Sequence, residues 1–193
     1  MKNIFKILIG VLLVIFLSSC EMDKNNIVLI DVKDMGSIKI ELYPYDAPET
    51  VENFKNLVKD KFYDGLTFHR VINGFMIQTG DPTASGSGGS EKTIKGEFQE
   101  NGFNNKISHV RGVVSMARRG SNPETIETMN SASSQFFIVQ EDSTFLDGKY
   151  AAFGRVIDGL DIIDKIASVE TDEDDKPLED IIINSISFYE GDK

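Results

Sequence analysis

The chain has 193 residues, which is enough for one domain with an apolar core of its own. Its 31 Asp and Glu side chains outnumber its 20 Lys and Arg side chains, and the formal net charge is −11. Because phosphate binding needs a basic surface, this charge argues against nucleic acid as a partner.

The N-terminus has the pattern of a secretion signal. Lys2 and Lys6 precede an apolar run at residues 7–17, which is shorter than the roughly 20 residues that a membrane-spanning helix needs. This run leads into Leu17-Ser18-Ser19-Cys20, which resembles a bacterial lipobox, in which the cysteine is lipidated and becomes the first residue.

We therefore expect residues 1–19 to be removed as a signal peptide, and residues 20–26 to form a lipidated cysteine and a short tether. The protein would then be extracytoplasmic, anchored to a bacterial membrane through lipidated Cys20 and touching the membrane through this anchor only. The alternative is a plain signal peptide that leaves Cys20 as a free thiol. Because the chain has no second cysteine, it cannot form an intrachain disulfide.

The mature chain begins with the pattern of a β-hairpin. Residues 27–32 are mostly apolar and are followed by Met35-Gly36, which marks a turn. In residues 38–42 apolar and polar side chains alternate, as in a strand with one buried face.

A helix is predicted next, because the spacing of the apolar residues changes. Asp46 is the expected cap, Pro48 an early helical residue and Glu49 an acidic residue of the first turn. The apolar residues at helical spacing are Val51, Phe54, Leu57 and Val58. A second, shorter helix is predicted from Leu160, Ile163, Ile166 and Ala167.

Residues 68–78 predict two short strands joined by a turn at Asn73-Gly74. Arg70 and Gln78 interrupt the apolar pattern of this segment. Since burying a guanidinium is costly unless it is paired, we interpret Arg70 as a fixed donor beside an apolar pocket. Such a site suits an apolar group whose neighbouring amide must be held.

The remaining sequence predicts one mainly β domain over residues 27–190. Further strands are predicted in residues 110–117, 135–139, 151–156 and 181–189, with loops in residues 83–90, 118–134 and 170–180. Many short strands with two helices favour an antiparallel barrel or sandwich that is covered by helices.

Three motifs give the chain a resemblance to the cyclophilin family of peptidyl-prolyl cis-trans isomerases. They are FHRVINGFMIQ at residues 68–78, SSQFFI at residues 133–138, and FLDGKY with FGRV at residues 145–150 and 153–156. The similarity covers residues 27–189. It implies a closed eight-stranded antiparallel β-barrel capped by two α-helices, with the site on the outer face of the barrel.

The resemblance also implies which side chains act. The catalytic set would be Arg70, Gln78 and Phe75, with Arg70 as the donor. The substrate-binding set would be Met76, Ala117, Arg118, Gln135, Phe137, Phe145, Leu146 and Tyr150. The substrates would be proline-containing polypeptides, and neither a cofactor nor a metal would be required.

The chain departs from the family pattern at several positions. Phe145 stands where many members have tryptophan, and Tyr150 where they often have histidine. Because the indole N–H is lost, cyclosporin binding is expected to be weak or absent. Asn73 replaces a common proline, Arg118 replaces a common asparagine, and the loop of residues 118–134 is longer than in compact members.

Less specific interpretations of the same residues stay open. Arg70 could be a structural ion-pair member with Glu49 or Asp81 as its partner, and the apolar pocket residues could be ordinary core. His69 is expected to be a hydrogen-bonded structural residue rather than a metal ligand or the base of a Ser-His pair. The acidic residues 170–175 lack the spacing of a calcium loop, so a solvated turn is expected there.

The sequence thus predicts a monomeric, lipid-anchored peptidyl-prolyl cis-trans isomerase that acts on exported proteins through Arg70. The alternative is a binding or chaperone module that holds proline-containing segments with little turnover, for which the loop of residues 118–134 leaves room. Nothing in the sequence specifically favours a third possibility, an acidic surface protein recognised by another cell.

Overall fold

The computed structural model describes residues 26–191, and their fold is mainly β. The expected signal peptide at residues 1–19, Cys20 and nearly all of the tether lie outside the described residues. Within residues 26–191 no helix is both long enough and apolar enough to cross a membrane.

The strands are β1 Ile27–Val32, β2 Gly36–Leu42, β3 Arg70–Ile72, β4 Met76–Thr79, β5 Val113–Met116, β6 Phe136–Val139, β7 Ala152–Asp158 and β8 Ile183–Phe188.

The strands form one antiparallel sheet that curls around the core without closing. Its order is β3-β4-β6-β5-β7-β2-β1-β8. The eight antiparallel strands are confirmed, but the closed barrel is wrong, because the edge strands β3 and β8 do not pair. β3 is only three residues long, and irregular backbone joins the two edges instead: Gly65 N–H donates to Ile183 O (2.8 Å) and Phe68 N–H to Ile181 O (3.0 Å).

Two helices lie where the sequence predicts them. They are α1 (Pro48–Lys59) and α3 (Leu160–Ala167), and both bury their apolar faces in the core that the sheet surrounds. The loop of residues 118–134 also contains a single-turn helix, α2 (Ile126–Met129), which the sequence does not predict. Short 3-10 helices cover Gln99–Asn101 and Thr144–Leu146.

The N-terminus of α1 is capped by a distant carboxylate rather than by the expected Asp46. Glu97 is buried, and its carboxylate accepts hydrogen bonds from the backbone N–H groups of Glu49 (3.1 Å) and Thr50 (2.8 Å). The Thr50 hydroxyl donates to the same carboxylate at 2.7 Å. A carboxylate in this position satisfies free helix N–H groups and faces the positive end of the helix dipole.

The strands beside the cavity described below bury apolar side chains on both faces of the sheet. Ile77 of β4, Val114 of β5 and Ile138 of β6 face the main core. Their neighbours in sequence face the other way, because side chains alternate along a strand. The outer apolar cluster on that second face contains Met76, Val113, Phe137, Val139, Leu146 and Ala152.

The turn at Asn73-Gly74 holds Phe75 beside this outer face. Phe75 N–H donates to Ile72 O (3.1 Å), and Gly74 has a φ of +78°, as in a type II turn. Asn73 is exposed and occupies the first central position of this turn. Proline is common at that position of a type II turn, which is consistent with the proline that many family members have there. Gln140 stabilises the turn with two hydrogen bonds of 2.8 Å. Its side-chain oxygen accepts one from the backbone N–H of Gly74, and its backbone N–H donates the other to Phe75 O.

One buried carboxylate organises the Gly- and Ser-rich loop of residues 83–90. Asp81 accepts hydrogen bonds from the backbone N–H groups of Thr83 (2.7 Å) and Gly88 (3.0 Å). Burial by itself raises the pKa of Asp81, but the hydrogen bonds from Thr83 and Gly88 outweigh it and lower this pKa to about 2. The carboxylate is therefore ionised at neutral pH and remains bonded to the loop.

His69 is also buried, and it lacks the hydrogen bonds that the sequence analysis expected. Neither ring nitrogen has a hydrogen-bond partner among residues 26–191. Burial lowers the pKa of His69, and the neighbouring Asp81 carboxylate opposes this only in part. The ring is therefore neutral in the folded protein at neutral pH.

Replacing Glu97 by alanine should reduce the free energy of unfolding by about 2 kcal/mol, because two helix N–H groups and a buried hydroxyl lose their acceptor. Urea unfolding followed by circular dichroism measures the change. Glu100→Ala is the matched control, since Glu100 is exposed, and it should change stability by less than about 0.5 kcal/mol. An equally small change for Glu97→Ala would contradict the cap.

Stability should decline in acid in two stages. The pKa of His69 lies below its unfolded value of 6.5, so the unfolded state takes up the proton first and stability falls as pH drops below 6.5. The depressed pKa of Asp81 contributes about 2 kcal/mol above pH 3.8, which is lost as pH falls from 3.8 through about 2.

Calorimetric Tm values across the acid range test both stages. His69→Asn should weaken the first stage, to which the buried His109 also contributes, and Asp81→Asn should weaken the second. Profiles with unchanged inflections in the two variants would show that other groups control the acid response.

Candidate active site

A cavity of about 360 Å³ lies on the outer face of the sheet. It is lined by Arg70, Phe75, Met76, Gln78, Ala117, Arg118, Phe137, Phe145, Leu146 and Tyr150. Ten of the eleven side chains that the sequence analysis assigns to catalysis or substrate binding thus surround one space. The eleventh, Gln135, lines an adjoining cavity of about 370 Å³.

The floor of the first cavity is apolar. Met76, Phe137 and Leu146 are at most 8% exposed and belong to the outer apolar cluster. Phe137 of β6 lies opposite Gln78 of β4, so the strand pairing brings the floor and the polar wall together. The sequence left open whether these apolar residues are pocket or core. In the structure, Met76, Phe137 and Leu146 pack within the outer apolar cluster and also line the cavity.

Aromatic rings form the rim. Phe145 lies on the 3-10 helix Thr144–Leu146 and is 63% exposed, and its ring centroid is 5.6 Å from that of Phe75. Tyr150 packs edge-on against Phe137, with 5.9 Å between centroids and an interplanar angle of 84°. The cavity mouth is therefore bounded by apolar surface that suits a flat ring.

Arg70 lies at the mouth, on the edge strand β3 and opposite Gln78 in the strand register. Its side chain is 43% exposed, and its Nε donates to Asp175 Oδ2 at 3.4 Å. The ion pair that the sequence offered as an alternative therefore exists, but Asp175 rather than Glu49 or Asp81 is the partner. No described residue accepts a hydrogen bond from either Nη nitrogen of Arg70, so both are available to a ligand.

A pair of amides connects Gln78 to the loop of residues 83–90. Gln78 Nε2 donates to Gln135 Oε1 at 2.7 Å. Gln135 Nε2 in turn donates to Gly86 O (3.0 Å) and Gly88 O (2.7 Å). The loop that Asp81 organises thereby fixes the orientation of Gln78, which lines both cavities.

Arg118 also lines both cavities, but its charge is used within the protein. Its side chain is only 4% exposed, with Nη1 donating to Glu124 (2.9 Å) and Nε to Lys149 O (3.1 Å). The guanidinium also lies over Tyr150, 4.8 Å from the ring centroid. The hydrogen bond from Arg118 lowers the pKa of Glu124. Arg118 is therefore a structural wall between the cavities.

A hydrogen-bonded chain of Asp147, His109 and Ser115 lies beneath the cavity floor. His109 Nδ1 is 3.0 Å from Asp147 Oδ1, and His109 Nε2 is 3.0 Å from Ser115 Oγ. A hydrolase triad has the same groups, but Ser115 is fully buried and cannot reach a substrate. Burial lowers the pKa of His109, and its ring stacks on Phe137 at 6.1 Å between centroids, so this chain supports the floor.

Sequence reasoning missed Asp175 and the Asp147–His109 pair. Asp175 is 105 residues from Arg70 and has acidic neighbours, so no local pattern distinguishes it. Asp147 offered a weak signal, because it lies inside the FLDGKY motif directly after Leu146.

The arrangement suits binding and polarisation of an amide. An apolar recess lies beside a guanidinium with open donors, and the side chains that line it include no Ser, Cys or Lys. Within residues 26–191, no group of three or more His, Cys, Asp or Glu side chains is placed to hold a metal ion. The site can therefore hold an apolar ring while it donates to a neighbouring amide.

Comparison with known proteins identifies the family to which the chain is similar. The family model described as cyclophilin type peptidyl-prolyl cis-trans isomerase/CLD matches residues 27–188. Peptidyl-prolyl cis-trans isomerase-like 3 of Rattus norvegicus is 43% identical over 158 residues, which cover 81% of this chain and 92% of the relative. The isomerase ppi1 of Schizosaccharomyces pombe is 41% identical over 156 residues, covering 80% and 94% of the two chains.

The fold has matching solved structures. A cyclophilin type peptidyl-prolyl cis-trans isomerase of Cryptosporidium parvum superposes with a TM-score of 0.76 at 31% identity, over 86% of this chain and 99% of that one. Its structure in the presence of the dipeptide Ala-Pro gives a TM-score of 0.75 over the same shares of both chains. The chain therefore belongs to the cyclophilin-type peptidyl-prolyl cis-trans isomerase family.

Proposed function

We propose that the chain accelerates isomerisation of X-Pro bonds by donation from the Arg70 guanidinium to the prolyl nitrogen, with the proline ring in the apolar cavity. The observation that carries this proposal is the position of Arg70, which lines that cavity and whose Nη nitrogen atoms have no partner among the described residues. The substrates would be proline-containing polypeptides.

An X-Pro amide interconverts slowly because its C–N bond has partial double-bond character and a barrier of about 18–20 kcal/mol. In the transition state the amide is twisted, and the prolyl nitrogen gains a lone pair. A guanidinium aimed at that nitrogen stabilises the twisted amide more than either planar form. The reaction requires neither a nucleophile nor a cofactor.

The surroundings of Arg70 support this role. The apolar floor can hold the ring, while Gln78, oriented by Gln135, offers an amide to the adjoining peptide backbone. Arginine suits the task better than lysine, because its planar fork can be held at Nε while it donates from Nη. The related Cryptosporidium parvum structure with Ala-Pro supports the substrate class.

Arg70→Ala should lower kcat/KM for a short X-Pro peptide by about 100-fold or more, because the developing lone pair loses its donor. A protease-free isomerisation assay measures the loss, and circular dichroism checks that the fold is intact. Arg155→Ala removes an exposed arginine of β7 outside the cavity and should retain parental activity. Near-normal turnover by Arg70→Ala would refute the assignment.

The second candidate is a binding or chaperone module with little turnover. It is favoured by the loop of residues 118–134, because Arg119 and Ser131 of this loop line the adjoining cavity and enlarge the surface next to the site. Turnover that disappears in Arg70→Ala while peptide affinity persists would favour the enzyme. Tight peptide binding by the parent chain without turnover would favour the module.

We further propose that the enzyme is an extracytoplasmic lipoprotein that acts on exported proteins. The N-terminal pattern supports this location, and it precedes the part of the chain that the family model matches. Only residues 21–26 separate Cys20 from β1, so a lipid on Cys20 would hold the isomerase domain close to the membrane surface.

Cys20→Ser should move the protein from the membrane fraction to the soluble fraction and abolish incorporation of labelled fatty acid, because the acyl acceptor is lost. Ser19→Ala keeps a small residue before the cysteine and should remain lipidated. Membrane association of Cys20→Ser at the parental level would contradict the anchor.

The cavity is built by one chain, so we propose that the protein acts as a monomer. We also propose that cyclosporin binds weakly or not at all, because the exposed Phe145 offers no indole N–H at the rim.

A further inference from the structure

Asp175 contacts two consecutive residues of the edge strand β3. Its carboxylate accepts a hydrogen bond from Arg70 Nε at 3.4 Å, and its backbone carbonyl accepts Val71 N–H at 2.8 Å. β3 is three residues long and pairs with β4 on one side only. Asp175 therefore occupies the free edge of the strand that carries the proposed donor.

The turn that carries Asp175 has its own internal hydrogen bonds. The Asp172 carboxylate accepts the N–H groups of Asp174 (3.0 Å) and Lys176 (2.9 Å), and Asp172 N–H donates to Lys176 O (2.8 Å). Asp175 has a φ of +62°, in the left-handed region that Asp and Asn adopt more readily than most residues. The turn can therefore hold the carboxylate at a fixed position.

A guanidinium on an exposed edge needs such a restraint. Ordering an arginine side chain costs about 2 kcal/mol of rotamer entropy. Nε is the donor closest to the aliphatic stem, so a partner at Nε restrains the plane of the guanidinium and leaves both Nη nitrogen atoms free. A misplacement of about 1 Å can reduce a rate about 100-fold, so this restraint bears directly on turnover.

We propose that Asp175 is a positioning residue that holds the Arg70 guanidinium in the orientation for donation to the prolyl nitrogen. This inference rests on the proposed role of Arg70. The two side chains are 43% and 42% exposed, and exposed ion pairs contribute only about 0–1 kcal/mol to stability. The pair therefore serves turnover rather than folding.

Two substitutions at Asp175 test the proposal. Asp175→Asn removes the charge, and Asp175→Gly also removes the acceptor, while both residue types accept a left-handed backbone. We expect kcat/KM for an X-Pro peptide to fall about threefold in Asp175→Asn and about tenfold in Asp175→Gly, mainly through kcat. The NMR signal of Arg70 Nε–H should shift in both variants, with little change in Tm.

Asp174→Asn is the matched control. It removes the same charge one position earlier, and Asp174 contributes its backbone N–H, not its carboxylate, to the hydrogen bonds of the turn. Activity and the Arg70 Nε–H signal should both stay at the parental values. A fall in activity equal to that of Asp175→Asn would assign the effect to the charge of the acidic segment and overturn the positioning role.

The Arg70→Ala background separates this proposal from the proposed mechanism. There, Asp175→Gly should cause no further loss, because the group that it positions is absent. An equal fall in both backgrounds, or parental or higher activity of Asp175→Gly in the presence of Arg70, would overturn the role of Asp175 and leave that of Arg70 intact. Full activity of Arg70→Ala alone would overturn the donor mechanism itself.

Discussion

The cavity depends on strands that are apolar on both faces. An antiparallel strand commonly has one face in the core and one face in water. In β4, β5 and β6, apolar side chains instead pack into the main core on one face and into the outer apolar cluster on the other. The floor residue Phe137 is therefore fixed by its sequence neighbours Phe136 and Ile138, which are buried in the core on the opposite side.

The polar groups around this recess are each held from outside it. Gln135 orients Gln78, Glu124 binds Arg118, and Asp175 binds Arg70 at Nε. The two arginines differ in what they leave free, because the Arg118 side chain is only 4% exposed, whereas the Arg70 side chain is 43% exposed and its Nη nitrogen atoms have no partner among the described residues. Electrostatic stabilisation of a twisted amide needs a donor that is oriented before the substrate binds. The proposed mechanism therefore assigns the donation to Arg70, which is held at Nε by Asp175, and not to Arg118.

Local patterns predicted much of the fold and most of the cavity. Alternating residues located the strands, helical spacing located α1 and α3, and the family resemblance named ten residues that do line one space. Apart from the local helix α2, the main errors concern partners that are distant in sequence. The α1 cap is Glu97, which is 47 residues from Thr50, and the partner of Arg70 is 105 residues away. The prediction of a closed barrel was wrong for the same reason, since pairing of β3 with β8 depends on the path of the backbone between them.

The sequence by itself determined where the strands and the two longer helices form, because side-chain periodicity is a local property of the chain. It also contains the N-terminal pattern that predicts a lipid anchor, which depends on residues before the fold begins. Only the tertiary structure decided which carboxylate accepts hydrogen bonds from which donor. The chain has 31 acidic side chains, and composition cannot distinguish the one that meets Arg70 from the rest. That choice depends on the distance between Asp175 and β3, and this distance exists only once the turn packs against the edge of the sheet.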